Sequence, residues 1–285
     1  MWTLLPPDVS DVDAQLTTAL TYANGMPVHA LTIAERAAIL AVYAAYDQLL
    51  GQPNHNLLPV ELAGCRAHLE DAYSQVQIGG RLESLRGQLL ATTDVCPYCG
   101  FGEPTQLDHY LPISEYGELA IYPRNLVPSC GPCNNAKRAH IAVAGPGFIH
   151  AYFQQLPAQP FFHADVIYDA GALDVTFHID EGALGAALAQ RLRFQLARLK
   201  LNDRYPKQIN KFLSEQRPGI MLLQSLPNSS QQLATYFMGA AATLSPTFGI
   251  NDWRPALLRA LATTLEFCAD PEAYYGQKPA VPGAA

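Results

Sequence analysis

The chain has 285 residues, of which 49% are hydrophobic and 15% charged, and its formal net charge is −7. That composition excludes a disordered chain and allows a large core or two or three domains. The acidic total argues against general electrostatic adhesion to nucleic acid, and there is no apolar run long enough for a membrane span.

The opening "MWTLLPPDVSDVD" has neither the basic start nor the apolar core of a signal peptide. Residues 31–50 repeat apolar side chains at helical spacing, with Thr32 placed as an N-cap. Two more helices are expected over Leu57 to Gln75 and Arg81 to Thr92, broken by Gly79-Gly80. Thr105 to His109 reads as a short strand, which Pro112 closes off, and Asn125 to Pro128 as a second. Gly131-Pro132 leads into "CNNAKRAHIAVA", a helix that should end at Gly145-Pro146-Gly147. Residues 164–179 alternate as a hairpin, with Val166, Tyr168, Val175 and Phe177 on one face and the turn at Asp169-Ala-Gly-Ala. Helices are then expected near 182–201, 204–216, 230–243 and 252–268, and a fraying tail from Pro271. The fold class is α+β and mostly helical. It divides into a helical region at 1–90, a strand–strand–helix core at 91–145, a hairpin with helices at 146–270, and a flexible tail at 271–285.

Cysteines carry the chemistry. Cys96 and Cys99 form one Cys-x-x-Cys pair and Cys130 and Cys133 another, thirty residues apart. A two-residue gap lets one tight turn aim two thiolates at one ion, and four thiolates make a tetrahedral zinc site. A redox motif needs only one pair, so two pairs with glycine or proline in their turns favour Zn²⁺. Cys65 and Cys268 lie far apart and read as free core thiols; reduced cysteines with a zinc knot fit a cytoplasmic protein.

The zinc would staple the ends of a loop that holds Asp108 and His109, and Asn134 follows the last cysteine. Asp108 and Asn134 offer hard oxygen donors suited to Mg²⁺ or Mn²⁺. His109 falls on the opposite side of its strand from Asp108, where it can serve as a general base on water.

The stretch from Cys96 to Lys137, with "CPYCG", "LDHYLPIS", "YPRNLVPSC" and "CNNAK", resembles the HNH, or ββα-metal, nucleases. The resemblance implies metal-dependent phosphodiester hydrolysis that leaves 3′-hydroxyl and 5′-phosphate ends. It assigns Asp108 to the catalytic metal, His109 to the general base, and Asn125 to the loop that positions that base. Asn134 takes the second metal-ligand position, where the family name has His. The phage Holliday-junction resolvases of the superfamily resemble this chain there, with asparagine after a fourth cysteine. Lys137 matches a family lysine expected near a phosphate. The phrase "LDHYLP…ELAIYPRNLVPSC" is similar to bacterial HNH proteins of antiphage defence, including the Septu-type nuclease, which implies an ATPase partner subunit. A structure-specific recombination nuclease acting alone and a non-catalytic zinc module stand as alternatives.

DNA is the expected partner, with RNA left open. Arg124, Arg138 and, seven residues beyond Cys133 on the same helix, His140 are candidate DNA contacts. From Arg191 to Lys211 there are seven basic residues against one acidic, including Arg198, Lys200 and Arg204. This stripe would let an acidic protein hold DNA weakly, strengthened by a partner or a homo-oligomer that adds positive charge.

Overall fold

The computed structural model describes residues 3–141 and 146–276, and the described residues form two compact units that divide between Leu156 and Pro157. In the first unit the chain order is α1 (Val12–Ala19), α2 (Ile33–Gln48), α3 (Arg66–Ala72), α4 (Glu83–Leu90), β1 (Gln106–His109), β2 (Leu126–Ser129) and α5 (Gly131–Lys137).

Helix α2 starts where its sequence says it should. Thr32 accepts from the Glu35 N–H, and Glu35 reaches back to the Thr32 N–H, a reciprocal capping box. Ile39, Val42, Tyr43 and Tyr46 recur at helical spacing and form its buried face.

The single helix expected over Leu57 to Gln75 is broken. Short 3₁₀ turns at His55–Leu57 and Val60–Leu62 precede α3, and another at Tyr73–Val76 follows it. Pro59 caps the second turn in an extended conformation, and Asn54 caps the first with its own side chain, so local bonds replace a helical ladder. Helix α4 packs on both β1 and β2. The front helices therefore share one unit with the strands, and no compact boundary falls at residue 90.

Strands β1 and β2 pair antiparallel, with Asp108 opposite Val127 and His109 opposite Leu126. Helix α5 follows directly, with Pro132 in its first turn, where a missing N–H costs nothing. It stops at Lys137, because Arg138 takes a positive φ of 52° that ends the helical path. The expected helix to residue 144 is thus only seven residues long, and 142–145 lie outside the described residues.

The second unit opens with the hairpin β3 (Phe162–Asp169) and β4 (Ala172–Ile179). Its two-residue turn places Ala170 and Gly171 at φ 46° and 85°, the left-handed pair that matches strand twist. Val175, Phe177 and Ile179 are buried on one face, as alternation requires. Helices α6 (Ala186–Arg198), α7 (Leu201–Gln224), α8 (Ser229–Phe248), α9 (Trp253–Thr263), α10 (Leu265–Ala269) and α11 (Pro271–Gly276) follow. Helix α7 runs through Pro206 and Pro218, beyond the expected end at 216. The helix expected over 252–268 is two, because Thr264 leaves the helical region at ψ 91°. The expected tail is in part ordered: α11 buries Tyr274 and Tyr275, while 277–285 lie outside the described residues. No helix among the described residues is long and apolar enough to cross a membrane.

Candidate nuclease site and cysteine cluster

The four cysteines meet. Their sulfurs all lie within 4.8 Å of one another, and all four side chains are buried. The first pair sits in a tight turn in which the Gly100 N–H donates to Cys96 O at 2.8 Å and Gly100 takes a φ of 75°. The Gly102 N–H donates to the Cys99 sulfur at 3.3 Å. A Cβ at Gly102 would lie 2.8 Å from Cys130 Sγ, so the turn must be glycine here to close around the sulfurs. In the second pair Cys130 caps α5, and the Cys133 and Asn134 N–H groups both donate to its carbonyl at 3.0 Å. Four buried thiols in one cluster have the donor chemistry for Zn²⁺.

Above the cluster, Asp108, His109, Asn134 and Arg138 line one cleft of about 300 Å³, with Tyr73 and Pro112 in its wall. Along β1 the two acid–base side chains diverge, as alternation demands. Asp108 is 3% exposed. Its Oδ2 accepts from Tyr98 Oη at 2.7 Å, and Lys137 Nζ lies 3.2 Å from Oδ1 and 3.1 Å from Oδ2. Burial raises its pKa, opposed by the Lys137 ammonium.

His109 turns toward Tyr73, ring centroids 4.3 Å apart, and toward Ala120, whose carbonyl lies 2.8 Å from Nε2. A carbonyl can only accept, so Nε2 carries the proton and Nδ1 the lone pair. Burial pushes the His109 pKa down to about 4.

Asn125 is fully buried and ties down the loop between the strands. Its Nδ2 donates to Leu111 O at 3.0 Å and Leu119 O at 3.3 Å, while its Oδ1 accepts from Leu111 N at 2.8 Å. The same Oδ1 accepts from Tyr46 Oη on α2 at 3.0 Å. Tyr46 Oη in turn sits 2.8 Å from His150 Nε2, and His150 Nδ1 accepts the Tyr152 N–H at 3.1 Å. That last bond fixes the proton on Nε2, so the chain of donors runs His150 to Tyr46 to Asn125.

Three expected DNA contacts are placed differently. Lys137 is 1% exposed, and besides Asp108 its ammonium bonds His109 O at 2.7 Å, so it is an internal counter-charge. Arg124 is half-buried, paired with Asp47 and donating to Pro7 O at 3.1 Å. His140 lies beyond the end of α5, its Nε2 3.2 Å from Pro146 O. Arg138 is exposed at the cleft. Asn134 reaches the cleft while its Nδ2 donates to Gln106 Oε1 at 2.9 Å.

Arg198, Lys200 and Arg204 belong to the second unit. Arg198 and Lys200 are exposed, and Arg204 is half-buried with a guanidinium nitrogen 3.5 Å from Leu199 O. Sequence reasoning missed Tyr98, Tyr46 and His150. Tyr98 could have been noticed inside the first cysteine pair; Tyr46 and His150, 104 residues apart, give no local signal.

The donor set at Asp108 has room for a cation. A carboxylate offers about four acceptor positions, and three are used here. With the Asn134 amide oxygen beside the same cleft, the chemistry suits a hard divalent ion.

The family model described as HNH endonuclease matches residues 96–140. Protein ea31 of Escherichia phage lambda is 28% identical over 199 residues, which is 63% of this chain. The match spans 65% of that relative, less than two thirds of its length. No solved structure matches the chain. Residues 96–140 therefore carry an HNH endonuclease domain, a class of metal-dependent nuclease, with a buried four-cysteine cluster able to hold a metal.

Proposed function

We propose that this protein is an endonuclease that hydrolyses DNA phosphodiester bonds with His109 as general base. The observation that carries this reading is the Nε2–H bond from His109 to Ala120 O. It leaves the Nδ1 lone pair as the basic site of a residue that shares its cleft with Asp108 and Asn134. Asp108 and Asn134 would hold Mg²⁺ or Mn²⁺, which supplies charge stabilisation for the developing phosphorane and the leaving oxygen. His109 Nδ1 takes the proton from the attacking water. Lys137 keeps Asp108 ionised and, through His109 O, holds the base's backbone still. Arg138, exposed at the cleft, would meet a substrate phosphate. Zn²⁺ at Cys96, Cys99, Cys130 and Cys133 is structural.

The finer assignment is a nuclease of antiphage defence in the cytoplasm, acting with an ATPase subunit. Two things support it: the phrase that resembles bacterial HNH proteins of antiphage defence, and a net charge of −7, which would leave DNA affinity to be supplied by a partner.

Plasmid cleavage in Mg²⁺ tests the core of this reading. His109→Ala should lower the rate by roughly a hundredfold or more, the usual scale for a lost general base, with zinc content and fold unchanged. Asp108→Ala and chelation of the wild type should also abolish cleavage. Near-normal cleavage by His109→Ala would overturn the assignment.

A further inference from the structure

Apart from the cysteine cluster, one other group of metal-ligating atoms converges among the described residues. His29, Glu35 and Cys65 each offer a donor atom within 4.8 Å of the other two. They arrive from three parts of the first unit: His29 from the segment before α2, Glu35 from the first turn of α2, and Cys65 from the N-cap of α3. None of them lines the nuclease cleft.

Their orientation is built in. Glu35 Oε2 accepts from both the backbone N–H and the hydroxyl of Thr32, each at 2.8 Å. That fixes the carboxylate and leaves Oε1 facing His29 Nε2 at 3.5 Å. Outer bonds that orient a ligand oxygen in this way are the usual support of a metal site. His29 Nε2 is buried and makes no hydrogen bond. A buried ring nitrogen whose nearest acceptor, Glu35 Oε1, stands off at 3.5 Å is poorly satisfied by the protein alone, and a cation between the two would satisfy both. Cys65 is fully buried, and its thiol makes only a long 3.5 Å contact with Leu62 O. The ring of His68, three residues after Cys65, stacks on His29 with centroids 4.8 Å apart and planes 19° apart, which holds the His29 imidazole in place.

We propose that His29 Nε2, Glu35 Oε1 and Cys65 Sγ form a second metal site, for a zinc-class divalent cation, with water in the fourth position. Zinc accepts imidazole, carboxylate and thiolate together. Its bond lengths of about 2.0–2.3 Å put tetrahedral ligands roughly 3.3–3.8 Å apart. The 3.5 Å separation of His29 and Glu35 already lies in that range. Contacts as long as 4.8 Å must close by about an ångström on binding. Binding converts the Cys65 thiol to a thiolate and releases its proton to solvent. The cation then clamps the segment at His29 to the starts of α2 and α3, and it works independently of the nuclease reading.

The test is metal content of the full chain, equilibrated in a chelator-buffered solution of micromolar free Zn²⁺. Wild type should hold one equivalent more than His29→Ala and one more than Cys65→Ser. The cysteine cluster is intact in all three, so the difference isolates this site. Zinc should also raise the melting temperature of wild type by more than that of His29→Ala. If Cys65→Ser fails to fold, His29→Ala decides alone, because the His29 side chain is only half-buried and is more easily removed than the core thiol. Equal metal content in wild type and His29→Ala overturns the proposal, whatever the cysteine cluster holds.

Discussion

At the scale of single residues, the ion pair between Lys137 and Asp108 is the least expected feature of the site. Both side chains are almost wholly inaccessible, 1% and 3% exposed. Removing one member of such a pair strands the other charge in the interior. Lys137→Met should therefore destabilise the protein by about 3–5 kcal/mol, read as a lower urea midpoint. Adding Asp108→Leu to that variant should restore much of the loss, because two apolar side chains leave no buried charge. If Lys137→Met unfolds at the wild-type midpoint, Asp108 is neutral in the folded protein. Sequence made the lysine visible but not its role. Seven-residue α5 puts Lys137 at its last turn, pointing back into the strands, and a surface lysine near phosphate and a buried counter-charge look alike as letters. Arg124 likewise has a partner that its letters do not show, since Asp47 lies 77 positions away.

At the scale of elements, two devices hold the cleft. One is the cysteine cluster, which was legible because Cys-x-x-Cys spacing alone fixes two sulfurs per turn. A strong chelator should strip it and lower the melting temperature of the first unit, and Cys96→Ser should do so without chelator, checked by calorimetry with zinc analysis. A folded, active protein without zinc would contradict this. The other device is the loop tied to Asn125. Tyr46→Phe removes one hydroxyl from it, leaving His150 Nε2–H and one lone pair of Asn125 unmatched. It should cost about 1–3 kcal/mol in denaturation, the penalty for buried polar groups without partners. Because Asn125 holds Leu119, next to the Ala120 carbonyl that orients His109, cleavage should also fall, by less than in His109→Ala. Unchanged kcat would show that the loop is held without α2. The start of α2 was readable because its capping box joins residues three apart, and the strands because short runs closed by proline mark them even though their pairing is long-range. The broken helix before α3 and the early stop of α5 were not, since 3₁₀ turns and a positive φ at Arg138 answer to local capping and closure rather than to apolar periodicity.

At the scale of the whole molecule, charge is the open quantity. The total is −7, yet Arg191 to Lys211 has seven basic residues and one acidic. The structure thins this stripe. Arg193 is paired with Glu181 at 2.7 Å, and Arg204 is half-buried with a nitrogen 3.5 Å from Leu199 O. Arg198, at the end of α6, and Lys200, the left-handed residue that joins α6 to α7, remain exposed. If this end of the second unit holds DNA, neutralising Arg198, Lys200 and Arg204 together should weaken binding. It should also flatten the dependence of log affinity on log salt by about two to three units, roughly 0.9 per lost phosphate contact. Cleavage of a short duplex at concentrations that saturate the triple variant should proceed at the wild-type rate, because His109 and its loop are in the first unit. Fluorescence anisotropy across a salt series checks the first outcome and single-turnover cleavage the second. An unchanged slope would move DNA binding away from this stripe, to Arg138 at the cleft and to whatever positive charge a partner supplies.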